Sequence, residues 1–313
     1  MQIIILAAIA VVAVFIGIRL LLWNMSGASK KGDETEVSSD EDFDVEVLDQ
    51  IYFLSAEQLA SKVDDGKETI LCLGNDTFAW NYDDGLIKAL REATGAEVVN
   101  GAFPGATVTV ADRGLDYDAH PEDIFSFYHV AQDIASGDFS DLEAPARARW
   151  EEDYSYQTSY ENLRDMDYAA LDTIVIYYDG TDYLKLRSGY NPDADKMWTD
   201  IQTVAGAYAT GIRAIREKWP HIRMILVTPM LMVVYTPEGT PIAADRYDFG
   251  HGTLATYIDF TLRVGEACGV TVIDNYHGMT DEDNSQGLMV DTSHLSETGN
   301  AAVAKHIAKV LHP

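Results

Sequence analysis

The sequence predicts a doubly wound α/β domain, a parallel sheet covered on both faces by helices, over residues 51–313. Two observations predict it. Five short apolar runs alternate with segments of helical spacing, which is the pattern of βαβ units. Polar, glycine-bearing turns follow the runs, as expected at the carboxyl rim of a parallel sheet. A third observation places a membrane helix in residues 1–24: Ile3 to Trp23 is apolar except for Arg19, and 21 residues at the helical rise span roughly 30 Å.

In chain order, Ser55-Ala-Glu-Gln58 is a capping box that starts a helix to about Asp65. Thr69 to Leu73 (TILCL) is a buried strand, and Leu86 to Ala93 a helix closed by Gly95. Ala96 to Asn100 is the second strand. A helix over Pro121 to Ala135 precedes the third strand at Thr173 to Tyr178 (TIVIYY). Helical spacing resumes from Ala194 to Lys218, then His221 to Thr228 is a strand, Leu254 to Ala267 a helix, Val270 to Asp274 a strand and Glu297 to Leu311 the last helix. Four turns should converge on one rim: Gly74-Asn75-Asp76-Thr77, Pro104-Gly105-Ala106-Thr107, Asp179-Gly180-Thr181-Asp182 and Asp291-Thr292-Ser293-His294.

Charge narrows the partners. Fifty-one acids against 22 bases give a net charge of −29, which repels phosphate backbones and disfavours nucleic acid. Two cysteines, Cys72 and Cys268, cannot form a disulfide framework. No CxxC or Cys/His cluster offers a zinc site, and no GxGxxG or P-loop spacing a nucleotide site, so the sequence calls for no metal and no cofactor. Residues 25–50 read as a disordered spacer, since Gly32 to Gln50 holds nine Asp or Glu and no Lys or Arg.

The apolar run is long for a secretory signal, and Met1-Gln2 lacks the cations of one, so it reads as an uncleaved anchor in the lipid bilayer. Arg19 and Trp23 suit the interface. Arg19, Lys30 and Lys31 all lie C-terminal to the run's centre, and the positive-inside rule taken literally holds that side in the cytoplasm.

Asp291-Thr-Ser-His294-Leu295, the stretch Asp172 to Tyr183 (DTIVIYYDGTDY), Asn100 to Thr107 (NGAFPGAT) and the helix-to-strand segment Ile212 to Pro229 resemble blocks of the SGNH/GDSL hydrolases. The resemblance covers about residues 68–311 and implies a flavodoxin-like three-layer fold in a family of esterases, lipases, carbohydrate deacetylases and envelope acyltransferases. It implies His294 as base, Asp291 as the acid orienting it, and the backbone N–H of Gly105 as an oxyanion donor. Two positions depart from the family. Gly74-Asn75-Asp76 places Asp76 where the nucleophilic Ser belongs, and Thr181 falls where the oxyanion-hole Asn belongs. A register shifted by one residue pairs Gly180 and Asp182 with that block instead. Thr77 is the nearest hydroxyl to the first turn; Thr77 and Asp182 are candidate binding residues.

Acyl transfer needs a nucleophile, a base, an orienter and oxyanion donors. The Asp291/His294 pair supplies two of these. Asp76 as an anion opposes the charge that would develop, or serves as a helix N-cap. Gly105 also suits a turn for its backbone angles alone. His251 and His277, each beside a Gly, read as loop histidines. Tyr154, Tyr156 and Tyr160 line a sugar cleft or pack beneath an insertion. Two functions compete: a degenerate relative that binds an envelope carbohydrate or a partner protein, and an active esterase, deacetylase or O-acyltransferase using His294 and Asp291 on an acylated carbohydrate. The resemblance implies an extracytoplasmic domain.

Overall fold

The structure is a computed structural model that describes residues 48–151, 153–280, 284–291 and 294–312. The expected anchor at Ile3 to Trp23, with its expected bilayer contact, and the expected spacer up to residue 47 lie outside the described residues. Among the described residues no helix is long and apolar enough to cross a membrane.

The elements follow in chain order as α1 (Ala56–Leu59), β1 (Thr69–Gly74), α2 (Asp76–Ala79), α3 (Leu86–Thr94), β2 (Glu97–Asn100) and α4 (Phe127–Ser136). Next come α5 (Ser140–Ala148), α6 (Ser155–Asp165), β3 (Thr173–Tyr177), α7 (Thr181–Leu184), α8 (Val204–Lys218) and β4 (Arg223–Val227). A hairpin of β5 (Val233–Tyr235) and β6 (Pro241–Ala243) precedes α9 (Leu254–Cys268), β7 (Thr271–Ile273), α10 (Ser285–Leu288) and α11 (Glu297–Leu311). The main sheet runs β2-β1-β3-β4-β7 with every pairing parallel, the flavodoxin-like strand order.

The strands are continuous apolar runs because both faces are covered. Leu71, Leu73, Ile174, Ile176 and Leu226 pack with α4, α8 and α9, while their neighbours Ile70, Cys72, Val175, Tyr177 and Ile225 pack with α3 and α11. Period-two alternation thus divides one strand between two cores, giving three layers. Burying each such aliphatic side chain is worth about 1.5–3 kcal/mol.

Helix boundaries follow caps rather than periodicity. The helix expected over Pro121 to Ala135 is broken at Ser126, whose side chain accepts from His129 N, so a short 3₁₀ turn, Asp123–Phe125, precedes α4. The helix expected from Ala194 begins only at Val204, after Thr203 caps it by accepting from Gly206 N. The capping box at Ser55 and Gln58 forms, but its helix stops at Leu59.

The spacer ends earlier than residue 50. Gln50 N donates to Val272 O at 2.9 Å and Gln50 O accepts from Val272 N at 2.8 Å, while Asp49 accepts from Asp274 N and faces His306 Nε2 at 2.8 Å. Charge composition alone assigned these two residues to solvent; backbone pairing along β7 and a buried histidine claim them instead.

Candidate functional site

The first turn is built by what β1 leaves no room for. A side chain at Gly74 would place its Cβ 2.2 Å from Tyr177 O on the adjoining strand, so only glycine fits there. The chain then turns into α2, and the cap is Asn75, whose side chain accepts from Thr77 N; Asp76 is the first helical residue, not the cap. From this position the Asp76 carboxylate reaches across to the second turn, and its Oδ2 accepts the N–H of Gly105 at 2.9 Å. Gly105 sits at φ +63°, the left-handed region in which glycine is unstrained, and this aims its N–H at Asp76.

The third turn is closed in the same way. Asp179 Oδ1 accepts from Asn75 Nδ2 at 2.7 Å, from Thr181 N at 2.8 Å and from Thr181 Oγ1 at 2.5 Å. The Thr181 hydroxyl is therefore spent on a neighbouring carboxylate. Thr77 donates its hydroxyl to Tyr177 O at 2.6 Å, inside the domain. Asp182 is buried and accepts from Val108 N at 2.7 Å and from the N–H and hydroxyl of Thr109 at 3.2 and 2.7 Å. Thr77 and Asp182 are thus both buried, with their polar groups bonded inside the domain.

The fourth turn holds the dyad. His294 Nδ1 lies 2.7 Å from Asp291 Oδ2, and Asp291 Oδ1 accepts His294 N at 2.9 Å, so one carboxylate fixes both ring and backbone. Trp80, just past α2, stacks on the imidazole with ring centroids 3.9 Å apart and planes 26° apart. Trp80 is 42% exposed, so part of this aromatic side chain meets solvent beside the dyad. No hydrogen bond or ion pair joins His294 to Asp76 among the described residues; Asp76 Oδ2 is bonded to the Gly105 N–H instead. Beside the dyad a cavity of about 450 Å³ is lined by Met232, Val233, Tyr235, Ser285, Val290 and Asp291, with β5 forming one wall.

Of the three tyrosines Tyr154, Tyr156 and Tyr160, the last two are buried, Tyr156 donating to Pro104 O at 2.8 Å, and Tyr154 is exposed. His277 is tied to the buried Asp274 at 2.6 Å, and His251 lies 3.3 Å from Ser188 Oγ.

Burial pushes the Asp179 carboxyl up to about 6, with the Asp76 charge adding to the rise and the bonds from Thr181 and Asn75 opposing it. Because this folded pKa exceeds the unfolded value of about 3.9, the native state holds its proton longer. That stability is fully present below about pH 4 and is lost as pH climbs through about 6. Asp179→Asn should remove this contribution. In urea titrations at about pH 4 and pH 7, wild type should lose on the order of 1–2 kcal/mol more than the variant on going to the higher pH; parallel losses would contradict the assignment.

No family model matches the chain, and no curated protein does. Solved structures do match. One is 22% identical, covering 78% of this chain and 96% of its own, with a TM-score of 0.54. A possible lipase from Chitinophaga pinensis is 16% identical over 78% of this chain and 97% of its own (TM-score 0.51). A protein from Lactobacillus plantarum is 14% identical over 80% and 97% (TM-score 0.50). These likenesses, with the strand order, show the fold alone: a three-layer α/β domain on a parallel five-stranded sheet, shared with these structures.

Proposed function

We propose that this domain is an SGNH-like fold whose acyl-transfer centre is closed, and that it binds a hydroxyl-rich ligand, an envelope carbohydrate, rather than cleaving esters. The observation that carries the reading is the bond from Gly105 N–H to Asp76 Oδ2. In acyl transfer that N–H must meet a developing oxyanion, and a fixed carboxylate now occupies the same place with the same charge. Nothing at the second donor position compensates, since Thr181 is committed to Asp179. What stays open is a recognition surface: the part-exposed Trp80 offers aromatic surface, Asp291 and His294 offer hydrogen-bonding groups, and the adjoining cavity gives depth. Stacking against a sugar's C–H face and accepting bonds from its hydroxyls are what such a surface can do.

The full chain should hydrolyse p-nitrophenyl acetate no faster than background. Turnover that vanishes in His294→Ala would overturn the reading. It would favour the second one, for which the intact Asp291/His294 dyad at 2.7 Å is the specific support: hydrolysis or acyl transfer through a water or an alcohol activated by His294. Neutral oligosaccharides should quench tryptophan fluorescence, and Trp80→Ala should abolish the change.

The same proposal places the domain outside the cytoplasm, held by Ile3 to Trp23. Protease added to spheroplasts of an expressing host should digest residues 50–313 while a cytoplasmic control survives. Protection until the membrane is permeabilised would show that Lys30 and Lys31 set the orientation.

A further inference from the structure

On α4 and α5, three side chains converge with no Lys or Arg paired to them among the described residues. Ser126 caps α4 and fixes its first turn through His129 N. Asp133 follows four residues later on the same face. The chain then turns at Gly137, φ +74°, and returns Asp141 at the start of α5 to the same point. His129 and Asp133 are 6% and 5% exposed, whereas the Asp141 side chain is 52% exposed and leaves an approach from solvent.

The distances are those of ligands around a shared centre. His129 Nε2 lies 3.4 Å from Asp133 Oδ2 and 3.2 Å from Asp141 Oδ2, and the three ligand atoms lie within 4.8 Å of one another. Four ligands held tetrahedrally at about 2.0–2.1 Å from a metal are about 3.3–3.4 Å apart. His129 Nε2 and Asp133 Oδ2 are both buried and make no well-formed hydrogen bond among the described residues; their near neighbours there are each other and the Asp141 carboxylate. Buried polar atoms of this kind call for a partner. No Lys or Arg pairs with any of the three among the described residues. The Tyr117 hydroxyl, 2.6 Å from His129 Nδ1, completes the picture. When Nδ1–H donates to it, the lone pair of Nε2 points at the two carboxylates, the outer-shell contact that orients metal-binding imidazoles.

We propose that His129, Asp133 and Asp141 bind one divalent first-row transition ion, of which zinc is the best match to an imidazole and two carboxylates with a fourth position left to water. Two carboxylates and a neutral imidazole balance its charge, and the ion would pin α5 to α4.

The test uses the full chain in detergent, stripped with EDTA and titrated calorimetrically with Zn²⁺. One saturable site per chain is expected. Asp141→Asn and His129→Ala should each weaken it at least about tenfold, and His294→Ala should leave it unchanged. Co²⁺ in its place should give the strong visible absorption of a four-coordinate site, lost in Asp141→Asn. If His129→Ala does not fold, the half-exposed Asp141 decides alone. Absence of saturable binding, or affinity equal to wild type in Asp141→Asn, would overturn the proposal and assign any bound ion to the acidic spacer or another histidine.

Discussion

Gly74→Ala should lower the melting temperature by roughly 6–12 °C, the equivalent of about 3 kcal/mol in a domain of this size. The added methyl would stand 2.2 Å from Tyr177 O and 2.8 Å from Phe78 Cδ2, and the nearer atom is backbone of the central strand β3. It cannot rotate away. Relief requires β1 and β3 to separate just where Asp76 and Asp179 leave the sheet, so the turn geometry should suffer with the stability. Gly105→Ala is the internal control. No atom lies within 4 Å of its Cβ position, and only the left-handed backbone is strained, at about 1–2 kcal/mol. Scanning calorimetry of the two variants should therefore rank Gly74→Ala as the more damaging; equal melting points would mean that the sheet accommodates the clash.

Asp76→Ser should have the opposite character, a gain. It frees the Gly105 N–H and supplies a hydroxyl where the family resemblance expects one, while Asp291 still holds His294. Ester hydrolysis should rise at least about tenfold over wild type and disappear when His294→Ala is added. It should remain weak, because Thr181 still bonds to Asp179 and a missing oxyanion donor costs on the order of a hundred- to a thousandfold in rate. Hydrolysis indistinguishable from wild type would mean that removing the Asp76 carboxylate does not by itself reopen the centre.

How much of this was visible in the chain depends on the range of each interaction. TILCL, TIVIYY and the run before Pro229 announced strands because a sheet covered on both faces demands uninterrupted apolar residues. Asp291 and His294 were visible because they bond three positions apart. The Asp76 contact to Gly105 spans 29 residues and that of Asn75 to Asp179 spans 104, so no local pattern encodes either. Asn75 went unremarked although it is the cap and the link to Asp179. Trp80 carried no signal beyond its size. Thr77 drew notice as the nearest hydroxyl to the first turn and Asp182 through the shifted register; both are buried and bonded to backbone inside the domain. Helices α5 and α6 escaped because Pro145 and polar residues blur their periodicity. His129 and Asp133 did carry a readable cue, an i, i+4 pair on one helix face, whereas Asp141 joins them only through the turn at Gly137.

The closed centre is tested most directly by a fluorophosphonate, which needs an activated nucleophile next to a free oxyanion site. Full-length wild type, incubated with excess probe and weighed by intact mass spectrometry, should carry no adduct, since Asp76 holds the Gly105 N–H and offers no hydroxyl. A one-to-one adduct that His294→Ala abolishes would contradict the account.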